Sequence, residues 1–463
     1  MPDELDLTAL GAVEIAARVR DGRSCAVDVA RAHLRRIAER DPGIGAFQAH
    51  DAPRVLAEAG GVDSRADRFA LPLAGVPVAI KDSIDVSGYP TRHGSPATPD
   101  EPARRDDELV KRLRAAGAVI VGKTRMPELG IWGFTHSALG TCHNPLDPAL
   151  DPGGSSGGAA AAVAAGMAAL AVGTDGGGSI RIPAAHCGLV GLKPGVGVLP
   201  LPGGADQLWC GLGATGPIAR TAEDAALAFG VLAGRPTPLD EVDGPARIVL
   251  SRIVLSLRNP SPLGRLHTDH RAAAIGAAAR LRAGPGGAAV TLADPPYPRG
   301  LATQWLRRWQ AGVAEQAAGL PRAELERRTA VLVRKGRRVL RFAPPGMDAP
   351  AAWREAVVAW LDEGRYDLLV GPAVAAPPLR AGAMVGRGYR RTLLDGARRT
   401  GYTQAWNLAG LPAVVAPVLV SGRPVGVQLV GRPGAEATLL AAAARLQRRV
   451  VPATGAATPR LYV

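Results

Sequence analysis

Apolar and polar positions along the chain alternate between two periods. Near the N-terminus, Val27, Ala30, Leu34 and Ile37 recur at helical spacing behind Ser24, a predicted N-cap, up to a stop at Asp41-Pro42. Residues 1–60 therefore read as helices packed on the outside of a core. Short apolar blocks follow. Leu71 to Lys81 ends as a buried strand, Asp107 to Gly117 is a helix, and Ala118 to Gly122 is a strand followed by Lys123. Ile180 to Pro194 is apolar, with Gly188 and Gly191 allowing close packing. Helices are predicted over Arg271–Arg282 and Thr303–Ala318, and strands over Tyr366–Pro372, Leu411–Leu419 and Val425–Val430. A closing helix over Ala435–Arg449 carries Arg448 and Arg449 at its C-terminal end, where the helix dipole favours cations. Helices alternating with buried strands predict an α/β layered fold on a parallel or mixed sheet.

The pattern breaks between Pro152 and Ile182. Two Ser/Gly clusters bracket a short apolar span there. Glycine admits positive φ and lets backbone N–H groups converge on a small volume. The span Ala159–Val172 divides into a helix of about eight residues, covering ~12 Å, and a strand of about five, covering ~16 Å. The chain can leave as helix and return as strand. That would set Ser179 beside Ser155 and Ser156, a geometry in which two serines share a proton.

Composition narrows the class. The chain has 463 residues with 47% hydrophobic content, the profile of a globular protein. Aromatic residues make up only 4%, so the core must be mostly Ala, Val and Leu. The start, Met-Pro-Asp-Glu-Leu-Asp, is acidic where a signal peptide would be basic, and the most apolar run is too short to span a bilayer. The expectation is a cytoplasmic protein that does not enter membranes. Cys25, Cys142, Cys187 and Cys210 have neither Cys-x-x-Cys nor zinc spacing, so free thiols and no metal or other cofactor are expected.

The formal charge is +14, carried almost entirely by arginine. The densest basic run, Arg334 to Arg341, lacks the interleaved aromatics of a base-stacking surface, so nucleic acid is not an expected partner. Lysine occurs only at positions 81, 111, 123, 193 and 335. In a chain that uses arginine by default, a lysine in an apolar run points to chemistry that requires losing a proton. Lys81 can be read as a strand-end lysine paired with a carboxylate or as a buried neutral base, and both readings stay open. His186, seven residues after Ser179, is a candidate triad base, although an ordinary core histidine is the plainer reading.

A dense set of ordered blocks then resembles the amidase signature family. They are Val78-Ala-Ile-Lys-Asp82, Gly122-Lys-Thr124, Asn144-Pro145, Gly153-Gly-Ser-Ser-Gly-Gly158, Gly173-Thr-Asp-Gly-Gly-Gly-Ser-Ile-Arg-Ile-Pro183, Gly188-Leu-Val-Gly-Leu-Lys-Pro194, Gly216-Pro-Ile-Ala-Arg220, Asn407-Leu-Ala-Gly-Leu-Pro412 and Gly426-Val-Gln-Leu-Val-Gly431. The resemblance covers roughly residues 5–450. It implies one α/β/α amidase domain over 1–463 on a mixed twisted sheet. Within it lie a helical layer at 1–60, a catalytic core at 70–225, a substrate-shaping region at 231–400 and a completing segment at 401–463.

The resemblance also implies a Ser–Ser–Lys triad. Ser179 matches the nucleophile, Ser155 the bridging serine with a cis peptide bond on its N-terminal side, and Lys81 the base. Backbone N–H groups of Gly176, Gly177, Gly178 and Ser179 match the oxyanion hole, and Ser156, Thr174, Asp175 and Arg181 match supporting positions. Three features depart from the family: glycine at 176 where Thr or Ile is common, Asp151 where a small hydroxyl residue is common, and Gly197-Val-Leu-Pro200.

The expected activity is hydrolysis of a small-molecule carboxamide through an acyl-enzyme on Ser179. The sequence leaves room for a homodimer. Two alternatives keep the fold: a tRNA-dependent glutamine amidotransferase A subunit working with partner subunits, and an amide-forming or acyl-transfer enzyme. A non-enzymatic reading takes Gly153–Gly158 as an anion-binding loop, although a P-loop's Gly-Lys-Ser/Thr ending is missing.

Overall fold

The computed structural model describes residues 5–235, 250–283, 287–346 and 348–448. Thirteen strands occur among them: β1 Phe47–Ala49, β2 Pro77–Lys81, β3 Val119–Thr124, β4 His136–Ser137, β5 Gly140–Thr141, β6 Leu170–Asp175, β7 Val190–Lys193, β8 Ala214–Ala219, β9 Arg252–Leu255, β10 Ala289–Leu292, β11 Leu368–Pro372, β12 Ala413–Val420 and β13 Arg423–Val430. Eleven form one mixed sheet in the order β1-β3-β2-β6-β8-β7-β12-β13-β11-β9-β10, and β4 and β5 make a separate hairpin. β2 runs parallel to both β3 and β6, and β6 pairs antiparallel with β8. Helices flank the sheet, as the alternating pattern predicts.

The register of β2 against β6 places Ile80 opposite Val172. The C-terminal ends of two adjacent parallel strands, Lys81 and Thr174-Asp175, therefore emerge together. That edge of a parallel sheet is where side chains can converge outside the strand ends. The Ser/Gly stretch follows the expected path, with a helix at Gly157–Ala164 and a return strand at Leu170–Asp175.

The core is divided by composition. The layer against the sheet is built from Ala, Val, Leu and Ile, with few aromatics. A second cluster gathers Trp132, Trp209, Trp309, Trp353 and Trp406, so most of the scarce tryptophans pack together.

Several element ends differ from the pattern reading. The helix predicted from Ser24 begins at Ala26 with Cys25 at its N-cap. Its first N–H groups, of Ala26 and Val27, are capped by the Asp63 carboxylate at 2.8 and 3.1 Å, and the Ser24 hydroxyl instead accepts from Arg18. A carboxylate from the end of the next helix, Ala52–Asp63, supplies the cap that local sequence would assign to serine. The same helix runs through Pro42 to Ile44 and ends at Gly45, whose left-handed φ of 68° stops it. The β3 strand continues through Lys123, and β9 and β10, which carry no clear apolar alternation, extend the far edge of the sheet. Arg449, expected in the last helical turn, lies outside the described residues; the helix there spans Glu436–Gln447. No described helix is long and apolar enough to cross a membrane.

Candidate active site

Lys81 is fully buried at the end of β2. Its Nζ donates to Ser155 Oγ at 2.7 Å, to Thr174 Oγ1 at 2.8 Å and to the Thr174 carbonyl at 3.3 Å. All three acceptors are uncharged. Burial disfavours the ammonium form and pushes the Lys81 pKa down to about 7, with the charge of Asp175 pulling the other way. The neighbouring strand-end lysine has the opposite fate. Lys123 forms a buried ion pair with Asp82 at 3.1 Å and also donates to Thr91 Oγ1. The carboxylate beside Lys81 in sequence thus belongs to another lysine, because successive strand residues point to opposite faces.

Asp175 does not serve as a counter-ion for Lys81, because Arg181 holds it. The guanidinium grips the carboxylate through both oxygens, Nε to Oδ2 at 2.9 Å and Nη2 to Oδ1 at 2.9 Å, a fork geometry that makes a strong pair. Arg181 and the Asn407 amide hold the Asp175 carboxyl well below the usual carboxylate range. Asp175 in turn accepts from the N–H groups of Gly178 at 2.7 Å and Ile180 at 3.2 Å, so it shapes the turn that carries Ser179. The rest of the Arg181 head group donates to the Thr403 carbonyl, Gln428 Oε1 and Asn407 Oδ1.

Residues 155–156 and 179 are neighbours. The Ser156 N–H donates to the Ser179 carbonyl at 3.0 Å, and Ser156 Oγ donates to the Thr174 carbonyl at 3.3 Å. The Gly154–Ser155 peptide bond is cis. No direct hydrogen bond joins the Ser155 and Ser179 hydroxyls among the described residues. Ser179 alone of the three serines lines a cavity at this end of the sheet.

The glycine turn is braced from outside. The Gly176 carbonyl accepts from Trp305 Nε1 at 3.0 Å, and the Gly177 carbonyl accepts from Thr403 Oγ1 at 2.6 Å. Of the oxyanion donors expected from sequence, the Gly178 N–H is already given to Asp175, so it is not available to a bound carbonyl. The N–H groups of Gly176, Gly177 and Ser179 meet no acceptor among the described residues.

The cavity in front of Ser179 holds about 300 Å³. Its walls come from Gly130–Gly133, Trp209, Pro260–Leu263, Leu301–Trp309 and the segment from Thr392 to Gln404. Four of the chain's seven tryptophans, at 132, 209, 305 and 309, face it. Among the described residues no charged side chain lines it, and its polar groups are hydroxyls, indole N–H groups and the Gln404 amide.

His186 is not a triad base. It lines a smaller neighbouring cavity with Asp151 and Gly153, whereas Ser179 lines the larger one, and burial pushes its pKa down to about 3. The Gly153–Gly158 loop is not an anion cradle either. It is buried, and N–H groups of Gly153, Ser156 and Gly158 donate to Asp151, Ser179 and Arg125. Asp151, the departure from a hydroxyl residue, accepts from the N–H groups of Gly153 and Thr135 and so pins the start of that loop.

Sequence reasoning missed Trp209, Trp305, Thr403, Asn407 and Gln428. Asn407 and Gln428 lie inside quoted motifs, as lone amides in apolar runs, and that was the available signal. The two tryptophans lie outside every motif block.

Comparisons with known proteins identify the family. The family model described as Amidase matches residues 28–254 and 346–440. The chain is 42% identical over 459 residues to a protein named as amidase AmiB2 in Mycobacterium tuberculosis (strain ATCC 25618 / H37Rv), covering 96% of this chain and 97% of that one. It is 33% identical over 469 residues to an acylamidase of Rhodococcus erythropolis, covering 96% of each. The structure of 6-aminohexanoate cyclic dimer hydrolase complexed with substrate superposes with a TM-score of 0.82 at 28% identity, over 96% of this chain and 97% of that one. The chain belongs to the amidase family, with the amidase signature fold, and is a hydrolase acting on amide bonds.

Proposed function

We propose that the protein hydrolyses uncharged amides with a bulky apolar or aromatic acyl group, through an acyl-enzyme on Ser179. The observation that carries this reading is a buried, carboxylate-free lysine held 2.7 Å from Ser155, next to a serine that opens into an uncharged tryptophan-lined cavity. A serine hydroxyl is a weak nucleophile until a base takes its proton. Neutral Lys81 accepts the Ser155 proton as Ser155 takes that of Ser179. The Ser179 Oγ bonds to the amide carbon, and the carbonyl electrons move to its oxygen, which the Gly176, Gly177 and Ser179 N–H groups stabilise. On collapse the C–N bond breaks, and the proton returns from Lys81 through Ser155 to the leaving nitrogen. Water then attacks the ester by the same relay, giving a carboxylate and free Ser179. Hydroxyls separated in the free enzyme close up when substrate excludes water.

The cavity favours hydrolysis of such amides over glutamine-dependent amidotransfer. Glutamine brings an ammonium and a carboxylate, and desolvating unpaired charges costs at least several kcal/mol. The four cysteines are unpaired, which supports a reducing, cytoplasmic setting. The test is a panel of aryl, alkyl and amino-acid amides with and without hydroxylamine. Hydrolysis of the aryl or bulky alkyl amides, hydroxamate formation and loss of both in Ser179→Ala are expected. Full activity of Ser179→Ala would overturn the reading.

A further inference from the structure

We infer that Trp305 is a positioning residue for the reaction: its indole N–H, by binding the Gly176 carbonyl, sets the direction of the Gly177 N–H that meets the oxyanion. This rests on the reading of Ser179 as nucleophile. In a trans peptide the carbonyl of one residue and the N–H of the next point in opposite directions, and rotating one rotates the other. Trp305 Nε1 holds the Gly176 carbonyl at 3.0 Å, so the Gly177 N–H is directed away from the indole. Thr403 does the same one residue later: it holds the Gly177 carbonyl, and the Gly178 N–H turns the other way, onto Asp175.

A turn of three consecutive glycines has no side chains to fix these planes, and glycine is the residue most free to rotate. The brace must come from elsewhere. A Cβ on Gly177 would lie 2.6 Å from Trp305 Cζ2, so the indole sits directly against the turn. Trp305 is itself held by stacking on Trp309, with ring centroids 5.4 Å apart and planes 16° apart. It also lines the cavity. One side chain thus contacts both the space for the acyl group and the donors that would stabilise its oxyanion. It lies in residues 255–345, between the two stretches that the family model matches.

Trp305→Phe keeps an aromatic wall and removes only the donor. The expected result is a kcat lower by about tenfold or more with KM within about threefold, since oxyanion donors act on the transition state. Trp305→His, which keeps a ring N–H, is expected to exceed Trp305→Leu in kcat, and this second pair stands if the Phe variant does not fold. A kcat for Phe within twofold of wild type, a loss confined to KM, or equal kcat for His and Leu would overturn the inference. A fluorophosphonate probe, with the labelled residue identified by mass, separates this from the underlying reading. A labelled Ser179 in wild type with an unaffected Phe variant sinks the brace alone, whereas labelling elsewhere sinks both.

Discussion

Trp209 occupies the space that a side chain at position 176 would fill: a Cβ built on Gly176 overlaps its six-membered ring. The glycine that departs from the family pattern is therefore matched by an indole on the opposing wall. Trp209 is fixed there by a hydrogen bond from Nε1 to Gln316 at 2.9 Å. Gly176→Thr is expected to force this wall apart, at about 1–3 kcal/mol of stability, and to lower kcat/KM by about 100-fold through the displaced oxyanion donors. Adding Trp209→Ala should recover part of both losses, because the two changes share one space. Simple additivity of the losses in the double variant would contradict the pairing.

The two strand-end lysines should separate in their effects. Lys81→Met removes the base and should lower kcat by at least about 10⁴-fold while the protein still folds. Lys123→Met leaves Asp82 buried without its partner, and breaking such a pair costs about 3–5 kcal/mol. Thermal unfolding and steady-state rates on the same preparations check this. A Lys81 variant with near-normal rates would contradict the assignment, as would a Lys123 variant of unchanged stability.

Asp151 gives a pH signature of stability. Burial pushes its carboxyl up to about 8, although two N–H groups bind it. Because the folded value lies above the unfolded one, near 4, the folded state holds a proton that the unfolded state releases. The contribution is complete below pH about 4 and is lost as pH rises toward 8, at up to about 1.4 kcal/mol per pH unit. Asp151→Asn should flatten that slope, so that its stability relative to wild type improves between pH 5 and pH 8 in denaturant titrations. A constant difference across that range would contradict it.

An uncharged cavity wall sets the substrate preference. Glutamine should be hydrolysed with a kcat/KM at least about 10³ below that of an aryl or bulky alkyl amide, since its charged groups find no partners. Competing rates in one mixture measure the ratio. Comparable rates would favour the amidotransferase reading instead.

Much of this was legible in the chain. Helix and strand at 157–164 and 170–175 follow from glycine and alanine spacing, and the scarcity of lysine drew attention to position 81. The motif blocks placed Ser155, Ser179, Asp175 and Arg181 in the same neighbourhood. What stayed hidden depends on long-range pairing. Nothing local tells that Asp82 pairs with Lys123, or that Asp63 caps the helix at Ala26. The cavity wall stayed hidden for the same reason. Trp209 and Trp305 are far apart in sequence, yet they meet consecutive glycines of one turn, a contact set by tertiary packing. For His186 the plainer reading holds: burial pushes its pKa down, and it lines a different cavity from Ser179.

In this mechanism Lys81 must be neutral for Ser179 to react. The rate at which a fluorophosphonate labels Ser179, followed by intact mass against pH, tests this most directly. With the Lys81 pKa pushed down to about 7, only about a tenth of the molecules hold a neutral amine at pH 6, so the rate should rise roughly tenfold per unit below pH 7 and level off above it. In Lys81→Met the rate should be far lower and should show no such step. A step that survives in Lys81→Met, or labelling of Ser179 that is flat from pH 5 to pH 9 in the wild type, would contradict the account.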